Sequence, residues 1–173
     1  MKIFFALVLL VAVSIGTTGC GSGGAATASK NKVNKSPAVD ALVSDTAKIY
    51  ADFSKQVDST LSSGKKSNEV VNDLKSICDR YTSRLDIEIG SEFDALEVEE
   101  ARAYYFAIAG EEVEKPDAVD PEIRKMVEQL KGIAEKPEIK STPLGDHVKG
   151  YVISFLRHSN SKAFGSIAKK VKG

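Results

Sequence analysis

Ser36-Pro37-Ala38-Val39-Asp40-Ala41-Leu42-Val43-Ser44-Asp45-Thr46-Ala47-Lys48-Ile49-Tyr50-Ala51-Asp52-Phe53-Ser54-Lys55-Gln56-Val57 decides the class of fold. Val39, Leu42, Val43, Thr46, Ile49, Tyr50, Phe53 and Val57 recur at three and four rather than at two, the period of an amphipathic helix ending near Leu61. Ser36 supplies a side-chain acceptor at the N-cap. Pro37 supplies a fixed φ at the first helical position, where a missing N–H costs nothing.

The same period returns four times. A second helix carries Val70, Val71, Leu74, Ile77, Cys78, Tyr81 and Leu85, and a third runs from Phe93 through Leu96, Tyr104, Ala107 and Ile108 to about Val113. A fourth uses Val119, Ile123, Met126, Val127, Leu130 and Ile133. The last uses Val148, Tyr151, Val152, Phe155 and Leu156, then Phe164, Ile167, Ala168 and Val171. Asp120-Pro121 and Thr142-Pro143 repeat the acceptor–proline start, Ser67 or Asn68 can open the second helix, and Ser91 with Asp94 caps the third. Breaks fall at Ser62-Ser63-Gly64, at Gly90, at Lys115-Pro116 and from Gly132 to Ser141. Ile87-Glu88-Ile89 alternates, but over three residues only, so no strand is predicted. Five amphipathic helices with short joins predict an all-α domain, an antiparallel helical bundle around one core.

That domain, residues 36–173, is large enough to bury a proper core. The whole chain balances 24 basic against 24 acidic residues, which excludes a globally basic nucleic-acid binder. The charge is nonetheless segregated: residues 87–139 carry a net −9 and residues 140–173 a net +6. The predicted last helix therefore has a basic outer face, with Lys149, Arg157, Lys162, Lys169, Lys170 and Lys172, beside an acidic middle.

The N-terminus is of another kind. Lys2 precedes an apolar run from Ile3 to Ile15, and Gly16-Thr17-Thr18-Gly19 then leads to Cys20. Thirteen apolar residues make about 20 Å of helix against a hydrocarbon core of about 30 Å, so the run is an export signal rather than a span. Thr17-Thr18-Gly19-Cys20 resembles the bacterial lipoprotein box, in which a small residue precedes a cysteine that is lipidated and becomes the new N-terminus. The resemblance implies a diacylglyceryl group on Cys20, usually with an added N-acyl chain. The alternative is ordinary signal cleavage after Ala26-Thr27-Ala28. The expected organisation is a signal peptide at 1–19, the lipidated cysteine and a flexible tether at 20–35, and the bundle at 36–173. The protein would then sit in the cell envelope, lipid-anchored and facing the periplasm or exterior, on the outer membrane in a Gram-negative host.

Chemistry-bearing patterns are sparse. His147 and His158 lie about 16 Å apart along one helix and cannot share a metal. Both are expected on the solvated surface. No H-E-x-x-H, paired Glu-x-x-His, C-x-x-C-H or G-x-S-x-G occurs, and the Gly21-Ser22-Gly23-Gly24 run lies in the tether rather than at a phosphate loop. No metal, cofactor or catalytic residue is expected. The acidic runs Glu97–Glu100 and Glu111–Glu114 read as solvated helix faces, and Cys78 as a small buried hydrophobe. Tyr104-Tyr105-Phe106 cannot all face one core, since consecutive helical residues point 100° apart, and Tyr105 is expected at the edge.

The function these features suggest is a non-enzymatic binding or interaction module. It would use Tyr105 and the basic Arg157, Lys169, Lys170 and Lys172 against an envelope protein or an anionic surface. The alternative is a carrier or sensor of a small apolar ligand, held between helices with Tyr104 to Phe106 along its wall.

Overall fold

All eight periodic positions of the opening stretch are buried in α1 (Pro37–Leu61), and the Ser36 hydroxyl accepts from the Val39 N–H at 3.3 Å. The computed structural model describes residues 36–109 and 116–172, and in the last helix the side chains as far as Ala163, with Gly165 and Ile167 beyond it. All regular structure among these residues is helical. After α1 come α2 (Ser67–Arg84), a π-helical turn (Leu85–Ile89), α3 (Gly90–Ala95), α4 (Val98–Ala109), a 3-10 turn (Pro116–Ala118), α5 (Pro121–Ala134), α6 (Pro137–Lys140) and α7 (Pro143–Lys172). Five of them, α1, α2, α4, α5 and α7, are long, and together they form an all-α helical bundle.

Cross-helix contacts fix the topology. Arg80 reaches Gln56 and Arg84 reaches Asp52, so α2 runs antiparallel to α1. Thr46 meets Tyr104, and Tyr50 lies by Ile108, so α4 runs parallel to α1. Lys48 faces Glu122 and Asp58 pairs with Lys136, so α5 continues in the same sense. Helices α4 and α5 therefore follow one another along α1 as a single split rung. Cys78 lies against Tyr151 and Asp86 against His158, which makes α7 parallel to α2. Going round the bundle, the neighbours are α1, α2–α3, α7 and α4–α5. Consecutive rungs run antiparallel, whereas two of the four neighbouring pairs run parallel, because the chain crosses the bundle diagonally at Leu96-Glu97.

The diagonal helices α1 and α7 meet through aromatic rings. Phe155 stacks on Phe53 with centroids 4.0 Å apart and meets Tyr50 edge-on at 5.3 Å, while Phe53 reaches Tyr81 on α2 at 5.6 Å. Ser63 and Gly64 turn the chain between α1 and α2, with Gly64 at φ +70°, a conformation that L side chains rarely adopt. Gly145 meets a different constraint. A Cβ there would lie 2.7 Å from the Ile139 carbonyl, so only glycine lets α7 start this close to α6.

The expected break at Gly90 is not found. Gly90 is helical at φ −60°, ψ −45°, and α2 continues through the π turn into α3, so Phe93 closes the second rung rather than opening the third. The cause is spacing. Tyr81, Leu85, Ile89 and Phe93 are all buried and follow one another by four, which drifts about 40° per step on a 3.6-residue helix. A wider turn absorbs that drift and keeps the stripe on the core. It also turns Ile87 outward, at 74% exposure. The chain breaks instead at Leu96, where ψ is 145°. Helix α7 starts at Pro143, as the Thr142-Pro143 pair predicts, and the Thr142 hydroxyl donates back to the Ile139 carbonyl at 2.7 Å. The expected break after Gly132 starts later, because α5 runs on to Ala134 and the short α6 lies inside it.

Candidate functional site

The π turn borders a cavity of about 750 Å³ between the α2–α3 rung, α4 and α7. Leu85, Ile89, Phe93, the Tyr104 ring and Ala163 give it apolar walls, and Asp86, Ser91, Asp94, Ser159 and Lys162 give it polar ones. Phe93 and Tyr104 face each other with ring centroids 5.3 Å apart.

The aromatic wall is held in place by a buried relay. The Thr46 hydroxyl spends its only proton on the Leu42 carbonyl, at 2.9 Å. The 2.8 Å contact between Thr46 and Tyr104 therefore has Tyr104 as donor. Burial pushes the Tyr104 phenol far above its usual range, against the smaller opposing pull of the Thr46 hydrogen bond, so it stays protonated as that donor.

At the mouth, α7 is latched to the π turn. His158 Nε2 donates to Asp86 Oδ1 at 2.9 Å, and Lys162 Nζ reaches the same oxygen at 3.2 Å. Partial burial alone would raise the Asp86 carboxyl. The hydrogen bonds and charges of His158 and Lys162 outweigh it and hold the carboxyl below its ordinary range. His158 is thus half-buried and engaged, not on the open solvated face that the sequence suggested. Ser159, which follows His158, is only 5% exposed and lines the cavity. Among the described residues its hydroxyl has no hydrogen-bond partner.

The latch has a defined pH dependence. A carboxyl whose folded-state pKa is depressed contributes stability above its unfolded value, and loses that contribution as pH falls through the folded one. Asp86→Asn should therefore lower the midpoint of urea unfolding near neutrality by no more than about 1 kcal/mol of stability, the range for part-exposed pairs. The gap between wild type and Asp86→Asn should close below about pH 4. An undiminished gap at about pH 3 would show that Asp86 does not act through its charge.

The sequence-predicted residues are distributed differently. Tyr105 is half-buried and packs on Phe106, 5.8 Å between centroids, and it is its neighbour Tyr104 that lines the cavity. Arg157 is exposed on α7, one residue before the latch. The side chains of Lys169, Lys170 and Lys172 lie outside the described residues, as do Cys20, the whole signal and tether, and Glu111–Glu114. Glu100 serves the start of α4: a hydrogen bond from Ser36, and then the Glu97 N–H that its carboxylate accepts at 3.2 Å, hold it below the ordinary range. His147 is exposed, and Cys78 is buried with its thiol, raised by burial, directed at the Tyr151 carbonyl.

A second cleft, of about 660 Å³, opens between α1 and α5, but its rim is the Asp58–Lys136 pair and its lining is mostly polar side chains. Among the described residues no three His, Cys, Asp or Glu converge as metal ligands, and no helix is long and apolar enough to cross a membrane.

No protein-family model matches the chain, and neither a curated protein nor a solved structure is similar to it.

Proposed function

We propose that this protein is a membrane-tethered lipoprotein of the cell envelope that works by binding rather than by catalysis, with the cavity beside the π turn as its small-ligand site. The cavity carries this reading. Its volume of about 750 Å³ lies inside the usual range of small-molecule sites, about 300–1,000 Å³, and it combines aromatic walls with a few placed polar groups. The π turn supports the same reading, because such turns inside helices concentrate at functional sites. The export signal and Cys20 supply the tether and the compartment.

Native mass spectrometry of the full chain, purified from its own host, tests the reading. A small molecule should co-purify, and Ala163→Phe, which places a ring inside the cavity, should remove it while leaving the helical circular dichroism intact. A chain that carries nothing, or an Ala163→Phe chain that keeps its occupant, would overturn the assignment of the cavity.

A further inference from the structure

We infer that the cavity takes an amphipathic amine, a protonated amino group on an apolar body, with Asp86 as its counter-charge; this rests on the cavity being a binding site. The decisive detail is how the Asp86 carboxylate is used. Both His158 and Lys162 contact Oδ1, and Oδ2 has no partner among the described residues. A carboxylate accepts up to about four hydrogen bonds, so Asp86, which lines the cavity, keeps acceptor capacity beyond its contacts to His158 and Lys162.

The rest of the wall points the same way. Ser159 offers the cavity a hydroxyl for which no partner is found among the described residues. Asp94 adds a second carboxylate to the lining. Residues 86–100, which supply the π turn, α3 and the start of α4, contain seven acidic and no basic side chains. Arg84 and Arg102 pair with Glu88 and Glu99 of this segment, and Lys162 is the lysine that reaches the carboxylate at the cavity, Asp86. Its side chain is 62% exposed and reaches over to Asp86 on a flexible stem. It occupies the position of a ligand's amino group without filling the apolar space behind. An anionic head would meet Asp86 and Asp94 with Lys162 as the cation of the lining, whereas an ammonium meets the Asp86 carboxylate and the Ser159 hydroxyl and leaves its hydrocarbon against Ile89, Phe93 and Tyr104.

Three probes with one body and different heads test this: 4-phenylbutylamine, 4-phenylbutanol and 4-phenylbutyrate, titrated calorimetrically into the purified full chain. The amine should bind about tenfold tighter than the alcohol, the worth of one charge-assisted hydrogen bond, and the carboxylate should bind weakest. Asp86→Asn should erase the tenfold advantage of the amine and leave the alcohol unchanged, which also shows that the variant is folded. Lys162→Met should tighten the amine about fivefold by removing the internal competitor. Tightest binding of the carboxylate, or a weaker amine in Lys162→Met, would overturn the amine assignment while leaving the cavity as a binding site. Failure of all three probes to bind would instead remove the cavity reading itself.

Discussion

Phe155→Ala should lower the stability of the bundle by about 3–5 kcal/mol, out of the roughly 5–15 kcal/mol that holds a domain of this size. Phe155 is fully buried and occupies the centre of the bundle's cross-section, in van der Waals contact with Phe53 and edge-on to Tyr50. Helices α1 and α7 are diagonal partners, so no other helix backbone can move in to fill the space. The cavity term is therefore expected near its upper range. Phe155→Leu keeps most of the volume and should cost less than half as much. Urea unfolding checks both, through a shifted midpoint at unchanged slope. A loss below about 1 kcal/mol for Phe155→Ala would mean that the core collapses around the gap and that the diagonal contact does not organise the bundle.

Much of this core is legible in the sequence, because the stripe of α1 is long, regular and capped. Phe155 and Phe53 each stand on a clear 3.6-residue period, which predicts that both are buried. It cannot predict that they touch, since pairing between diagonal helices depends on which way each rung runs. The π turn is missed for a more local reason. Gly90 reads as punctuation, yet the buried set Tyr81, Leu85, Ile89 and Phe93 is a run of fours that straight helix geometry does not sustain. That run is the signal that would have found the turn, and with it the exposure of Ile87. The cavity is legible in one of its walls only: Tyr104 to Phe106 is the run that a pocket between helices could use, and of these Tyr104, buried in the core, lines the cavity while Tyr105 packs half-buried on Phe106. Asp86 and His158 are 72 residues apart, and nothing local to either marks the other. Their meeting follows from α2 and α7 lying parallel, a relation set by the diagonal crossing at Leu96-Glu97.

Cys20→Ala should abolish acylation and take the protein off its membrane, the largest functional change expected of any single substitution in this chain. Lipidation at the box would place at least two acyl chains on Cys20. At about 0.8 kcal/mol per buried methylene, two chains of about fourteen methylenes contribute on the order of 20 kcal/mol. One chain would be marginal and reversible, and two are not. The basic residues in the sequence of α7, from Lys149 to Lys172, offer a rival route to the same membrane, through anionic lipid, and salt separates the two. At about 1 M ionic strength the Debye length shrinks to about 3 Å, so an electrostatically held protein washes off while an acylated one leaves only with detergent. The mass of the N-terminal peptide decides the chemistry directly. A membrane-extracted chain should begin at Cys20 and carry the acyl mass, and the Cys20→Ala chain should incorporate no labelled palmitate. A mature chain beginning at Ser29 and released by salt would remove the anchor, and the ligand site would then belong to a protein that diffuses freely on the far side of the membrane.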